Sequence, residues 1–460
     1  MSCPKVLFDQ RCAAVKRAME AERCVCFVDY ASEPPVEPPV RHYQLVCSEC
    51  GRQYDDDGLI LDCSGDHVPA LLRTQYSDSS FNPLPEENGI FRYRRWLPVI
   101  RTPQNTGRTA VYRSYGLARM LRLPNLWIAF NGFWPERDAV FETATFKELE
   151  AHTVLGRLPD SNVILTVASA GNTGAAFAWA CSQRRQPCLL IVPGRSLRRF
   201  RFRESLHPAV NLVVIDDGDY PDAIELATAV SRASEFQAEG GVKNVGRRDG
   251  LATVLFTAFE EMNQLPTHYF QAVGSGTGAI AVLEAAKRIR NAGVDTMLPR
   301  LMLCQNLPFT PIFDAWRMDL KSPAGSADKF REDIRQVYAD ELTNWAPPYT
   351  TKGGVRDSLV ASCGEVMATT NAAARLAVDM FSELEGIDIE PAAGVAVACL
   401  RDAAAQGKFD KEAVVLLNIT GGGRLRLERE YSLVPAEPRL RLIRKSISVE
   451  AVQQVAAHCP

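Results

Sequence analysis

The sequence predicts an α/β protein built on parallel sheets, and three observations carry that prediction. Short, continuous apolar runs recur at residues 163–167, 188–192, 211–215, 268–273, 301–304 and 413–417. A strand covered by helices on both faces reads this way, because it has no solvent side to alternate with. Stretches of helical periodicity separate the runs, as at 223–233. Two of the runs open directly into small-residue turns that lead into helices, at 168–174 and 274–278.

Taken in order, residues 1–40 are weakly patterned and end in Pro34, Pro35, Pro38 and Pro39. Such a proline run favours an extended connector. Residues 41–75 hold a cluster of cysteines. From about residue 85 strands and helices alternate, with the run 126–130 as an early strand. The 163–167 strand precedes a helical stretch through Ala175, Ala176, Ala178 and Ala180. The 268–273 strand leads into a helix from about Ala279 to Ala286, and 413–417 is the last strand. Residues 436–460 are charged and read as a peripheral tail. There is no internal repeat and no long low-complexity segment.

At 460 residues the chain has room for two or three domains and a large core. Lys plus Arg is 52 against 55 for Asp plus Glu, which gives no general pull toward nucleic acid or a membrane surface. Hydrophobic residues are 46% and charged residues 23%, the balance of an ordinary globular protein. No apolar run approaches the ~20 residues of a membrane span. The start Met1-Ser2-Cys3-Pro4-Lys5 lacks the apolar core of a signal peptide, so a cytoplasmic location is expected. The 13 cysteines are odd in number and dispersed, unlike a disulfide framework.

Gly274-Ser275-Gly276-Thr277-Gly278 is the strongest local signal. Closely spaced glycines let backbone N–H groups converge without Cβ interference. The following helix adds its positive N-terminal end, so the turn suits a phosphate. It lacks the ending of a nucleotide P-loop and the spacing of a dinucleotide turn. The plainer alternative is a tight turn with no ligand. Ser169-Ala170-Gly171-Asn172-Thr173 likewise follows a strand and opens a helix. Asn and Thr are good caps, and spare N–H groups there also suit a carboxylate. Lys147 sits in Thr145-Phe146-Lys147-Glu148-Leu149-Glu150. Alone it reads as a surface lysine, yet a lysine amine can bond an aldehyde and, once released, move a proton. Thr420, in Asn418-Ile419-Thr420-Gly421-Gly422-Gly423, ends the last strand.

Cys47-Ser48-Glu49-Cys50 is followed by Cys63 and His67. A tetrahedral zinc site accepts that ligand set, although the second half is not the usual C-x2-C. No basic stripe surrounds it, which argues against a nucleic-acid role. Arg247 and Arg248, beside Lys243, offer a fork of donors to an anionic substrate; a solvated basic loop is the alternative.

A lysine, an Asn-bearing turn and a glycine-rich anion turn, in that order, resemble the fold-type II pyridoxal-phosphate (PLP) enzymes of the threonine synthase family. The stretches 69–74, 127–137, 146–151, 243–250 and 353–357 resemble its cysteate synthase branch. The likeness spans roughly residues 40–430.

The resemblance implies a tryptophan synthase β-like fold, with two parallel-sheet domains and PLP in the cleft between them. It implies a large domain from 76–155 and 255–435, a small one from 156–254, a zinc-ribbon-like extension at 1–75 and a tail at 436–460. Lys147 would carry the cofactor, with Asn172, Gly274, Ser275, Gly276, Thr277, Gly278 and Thr420 binding it. Thr420 would meet the pyridine nitrogen. Ser169, Ala170, Gly171, Thr173, Arg247 and Arg248 would bind substrate, with Arg73 a further cation for its phosphate. Cys47, Cys50, Cys63 and His67 would hold a structural zinc where the family's ligands persist. The implied reaction is β-replacement on O-phospho-L-serine: phosphate leaves and a nucleophile, sulfite, adds to give L-cysteate. The partners implied are small molecules, with no nucleic acid or membrane, and a homo-oligomer. Threonine synthase activity, another nucleophile, or a cofactor-free scaffold of the same fold are the alternatives.

Overall fold

Six strands form the larger sheet, in the order Glu365–Thr369, Arg300–Asn306, His268–Ala272, Val415–Ile419, Leu126–Phe130 and Ala110–Arg113. All neighbours pair parallel except Ala110–Arg113, which runs antiparallel to Leu126–Phe130 at the edge. This computed structural model describes residues 41–103, 106–159, 163–169, 171–295 and 297–457. The expected connector at 1–40 and the site residue Ala170 lie outside the described residues.

The apolar runs are continuous because each sheet face has its own core. Along His268–Ala272, Tyr269 packs with Leu283 and Phe256 on one face. Its neighbour Phe270 packs with Phe381 and Val395 on the other. Leu301 and Leu303 face the first core, and Met302 and Cys304 the second. This is the two-residue alternation of a strand, with both sides buried. Truncating Phe270 to Ala would cost about 3–5 kcal/mol for that reason.

A second sheet runs Phe236–Ala238, Ile164–Ala168, Cys188–Pro193, Val210–Ile215 and Leu440–Leu442, all parallel. Its two faces separate in the same way. Leu190, Val192 and Leu212 face one core, and Leu189, Ile191 and Val213 the other.

The C-terminal residues read as a peripheral tail turn out to be structural. Leu440–Leu442 supplies the fifth strand, parallel to Val210–Ile215. The helix Val449–Ala457 then packs Val452 and Ala456 against Leu226 and Val230. Charge hid this, because Arg439 and Arg441 alternate with the two leucines on an edge strand. Edge strands commonly carry such charges.

Residues 43–76 form a separate three-stranded antiparallel sheet, with Tyr43–Cys47 between Gln53–Tyr54 and Leu72–Tyr76. Two buried anchors hold it. Thr74 Oγ1 and Tyr76 OH both donate to Asp249 Oδ2, each at 2.6 Å. Arg157 donates to both oxygens of Asp56, at 2.8 and 2.7 Å.

Candidate active site

The turns that follow the parallel strands meet at one cavity of about 810 Å³. Carboxyl ends of parallel strands are where open α/β sheets bind ligands, and the volume suits a cofactor plus a small substrate. Lys147, Ser169, Gly171, Asn172, Thr173, Arg247, Gly274, Ser275, Gly276, Thr277, Gly278 and Thr420 all line it.

The glycine turn follows His268–Ala272 and opens the helix Thr277–Asn291. Gly276 takes a positive φ of 78°, which frees the backbone to bend into the first helical turn. A Cβ on Gly278 would stand 2.5 Å from Nε2 of buried Gln271, so a larger residue there would have to displace that amide. Ser275 and Thr277 hydroxyls lie 2.8 Å apart at the same mouth. The result is a cradle of N–H and O–H donors at a helix N-terminus, fit for a phosphate.

The facing turn opens the helix Asn172–Arg184. Ser169 Oγ accepts from Gly171 N at 3.2 Å and Gly174 N at 2.8 Å, which shapes the turn. Asn172 Nδ2 donates to Glu390 Oε2 at 2.6 Å. Burial and the neighbouring Glu341 push the Glu390 carboxyl up to about 8. Burial raises Glu341 to about 7 against the pull of Arg199.

Lys147 is the first residue of the helix Lys147–Arg157. Phe146 N donates to Thr420 O at 3.0 Å and Thr145 bridges to Gly421, so the lysine segment is locked to the Thr420 turn. Burial lowers the Lys147 amine from its ordinary range, and the Glu150 carboxylate, 3.2 Å away, opposes that. A low-lying amine is a better nucleophile and base near neutral pH.

The two arginines separate. Arg247 lines the cavity, but its guanidinium is gripped by Glu239 and by Glu150. Arg248 does not reach the cavity. Its side chain is fully buried, paired with Glu284 at 3.2 Å and donating to the carbonyls of Val242 and Leu72. Consecutive residues on a helix point about 100° apart, so one faces the cleft and the other the core. Arg73 is exposed on its strand and does not line the cavity.

Away from the cleft, the sulfur and nitrogen atoms of Cys47, Cys50, Cys63 and His67 all lie within 4.8 Å of one another. Cys50 Sγ is 3.7 Å from Cys63 Sγ, and His67 Nε2 is 3.2 Å from Cys63 Sγ. Tetrahedral zinc with bonds of about 2.0–2.3 Å needs similar spacings. Glu49 N donates to Cys47 Sγ at 3.4 Å and Gly65 N to Cys63 Sγ at 3.3 Å. His67 Nδ1 lies 2.7 Å from Val68 O, which frees Nε2 to face an ion. The donor set fits one zinc.

The sequence profile of the pyridoxal-phosphate dependent enzymes matches residues 105–421. Cysteate synthase of Methanosarcina mazei is 38% identical over 416 residues, covering 89% of this chain and 99% of that protein. Cysteate synthase of Methanothrix thermoacetophila is 44% identical over 398 residues, covering 85% and 93%. The chain belongs to the cysteate synthase family of pyridoxal-phosphate-dependent enzymes. Among solved structures, maize serine racemase superposes with a TM-score of 0.53 at 16% identity, covering 69% of this chain and 89% of that one. The processed form of threonine deaminase isoform 2 from Solanum lycopersicum gives 0.51 at 15%, covering 70% and 86%. The fold is therefore fold type II, and pyridoxal phosphate is the family's cofactor.

Four acidic residues of the site escaped the sequence reading: Glu150, Glu239, Glu341 and Glu390. Glu150 had a signal, since it lies one helical turn from Lys147. Glu390 had none, being 218 residues from the Asn172 it touches.

Proposed function

We propose that the protein catalyses β-replacement on O-phospho-L-serine, expelling phosphate and adding sulfite to give L-cysteate. The convergence of Lys147, the Asn172 turn, the 274–278 cradle and Thr420 on one cavity carries this reading. Bound pyridoxal phosphate supplies the electron sink that acidifies the substrate Cα–H.

The residues divide the remaining work. Gly274, Ser275, Gly276, Thr277 and Gly278 would hold the cofactor phosphate. Asn172 would donate to the ring oxygen, and the neutral hydroxyl of Thr420 would meet the ring nitrogen. Lys147 would carry the cofactor, and its amine, when free, takes the Cα proton and later returns it. Ser169, Gly171 and Thr173 receive the substrate carboxylate. Arg247 and Lys243 are the cations on the cavity wall that face the anionic co-substrates, and each is balanced by carboxylates, Arg247 by Glu150 and Glu239 and Lys243 by Asp62 at 2.9 Å.

None of the eight cysteines among the described residues is paired in a disulfide, which supports a reducing, cytoplasmic setting. A homo-oligomer remains part of this reading and is checked by sedimentation of the loaded enzyme.

The test is incubation of the PLP-loaded protein with O-phosphoserine and a panel of nucleophiles, with products read by mass. L-cysteate is expected with sulfite, together with one phosphate per turnover. Equal turnover of L-serine and O-phosphoserine would overturn the phosphate-dependent reading.

A further inference from the structure

Glu150 lies on the same face of the Lys147–Arg157 helix as Lys147, and its side chain is 0% exposed. Its Oε2 accepts from Lys147 Nζ at 3.2 Å. Its Oε1 accepts from Thr173 Oγ1 at 3.0 Å and lies 2.9 Å from Arg247 Nη1. Arg247 turns its other edge to Glu239, donating through Nε at 2.9 Å and through Nη2 as well. Glu239 is itself buried and fixed by its backbone, whose N–H donates to Thr166 O at 2.9 Å.

Lys147, Glu150, Arg247 and Glu239 thus form one linked row, in which the two carboxylates alternate with the amine and the guanidinium. A lone buried carboxylate would take up a proton rather than stay ionised. Glu150 is not alone: it meets Arg247 on one side, the Lys147 amine on the other and the Thr173 hydroxyl, so both of its oxygens are held in place. The fork of Arg247 is committed to two carboxylates, which makes it a brace for Glu150 before it is a clamp for substrate.

We propose that Glu150 is the positioning residue for the proton transfers of Lys147, holding the amine at the cavity wall and stabilising it when it becomes an ammonium. Arg247, clamped by Glu239, fixes Glu150 in that role. The inference rests on the reading of Lys147 as the amine that moves the Cα proton.

In the forward step the Cα–H bond breaks, the proton goes to neutral Nζ, and the electron pair drives phosphate from Cβ. After the nucleophile adds to Cβ, the same proton returns from Nζ to Cα. The full charge on Nζ exists between those two events, and Glu150 faces it there. At this distance and burial, an opposite charge acts far more strongly than in water. The groups facing Nζ are Glu150, Arg247 and Glu239, with Tyr220 on the same wall. Burial and Arg247 press the amine toward neutrality, and the two carboxylates oppose them. Thr173 belongs to the turn assigned to the substrate carboxylate. Glu150 therefore ties the position of the amine to the element that orients Cα.

Two readouts on Glu150→Gln test this. In cofactor-free protein, the pH dependence of reductive methylation of Lys147 by formaldehyde is followed by peptide mass. The midpoint should fall by about one pH unit or more in the variant, since one unit is the scale of a single removed charge contact. In loaded protein, exchange of the Cα proton of O-phosphoserine in D2O should slow by about tenfold or more. Cofactor absorbance should be kept. Glu150→Ala takes the place of E150Q if the latter does not fold, with the same expectations. An unchanged midpoint overturns the proposal, whether or not exchange slows, because a merely structural role leaves the amine's protonation untouched. An unchanged exchange rate overturns it as well. Wild-type protein that makes no cysteate, yet shows the midpoint shift in the variant, refutes the substrate reading and leaves the role of Glu150 standing.

Discussion

The cleft and the Cys/His corner are built in opposite ways. The corner takes its four donors from Cys47, Cys50, Cys63 and His67, a single short segment. The cleft takes its donors from turns between Lys147 and Thr420, carried by two separate sheets. Closing a short loop costs little entropy, and a bound ion supplies folding free energy directly. A site assembled from distant strand ends has no such option. Its positions are set by the cores on both faces of each sheet before any ligand arrives. The corner should therefore depend on its ligand for structure, and the cleft on its ligand for chemistry alone.

Lys147→Ala is the sharpest way to break the comparison. Turnover should fall by 10²–10⁴-fold, on the order of what a positioned proton-transfer group supplies, and the covalent cofactor absorbance should vanish. Urea unfolding of the cofactor-free variant should shift by less than about 1 kcal/mol, because Glu150 keeps Arg247 and Thr173. A large loss of stability would mean that the cleft, like the corner, needs its own charged partners to fold.

Arg248→Ala should do the reverse. Removing the cation leaves half-buried Glu284 and two carbonyls without their partner and a cavity in the core. The expected cost is about 3–5 kcal/mol, with the KM for O-phosphoserine unchanged in the folded fraction. A raised KM at intact stability would return Arg248 to the substrate site.

These two arginines also show where the sequence stops being legible. The apolar runs announced the sheets because burial on both faces leaves a continuous signature. The glycine and Asn turns announced the cleft because only certain residues tolerate those backbone paths. The Cys/His spacing announced the corner because its ligands are local. Which of Arg247 and Arg248 faces the cleft depends on the rotation of the helix Val245–Met262, and that helix is buried nearly all round. With no polar face, its sequence carries no phase. Glu239 and Glu341 reach the cavity, and Glu390 reaches Asn172 beside it, by tertiary packing alone. The strand Leu440–Leu442 was missed because an edge strand flanked by arginines looks like surface.

Metal removal tests the other half of the comparison. Elemental analysis should find about one zinc per chain. Cys47→Ser, or chelation, should lower stability by about 2 kcal/mol, a loss limited by the anchors to Asp249 and Arg157. The absorbance of the bound cofactor should be spared. Metal-free protein that melts like the wild type would make the corner self-sufficient and remove the contrast.

The smallest effect is a slope with pH, and it should have opposite signs at the two sites. In the cofactor-free cleft, Glu390 is raised to about 8 and Glu341 to about 7, both chiefly by burial. The folded state thus holds protons that the unfolded chain, with a carboxyl near 4.5, has already released. Stability from these groups is complete below the unfolded value and is lost as pH rises through the folded one. Melting temperature should therefore decline between about pH 5 and 8, the window those values set. Glu390→Gln should flatten the decline, because a neutral amide cannot ionise in the same place. At the corner the ligands are thiolates, so metal is lost as pH falls and its stabilisation fades on the acid side. Melting curves of metal-loaded, cofactor-free protein across this range should then show a maximum between the two losses. Glu390→Gln should lift the alkaline limb and leave the acid limb where it was. If both limbs move together, the two sites are coupled through the fold, and the division between a ligand-built corner and a core-built cleft does not hold.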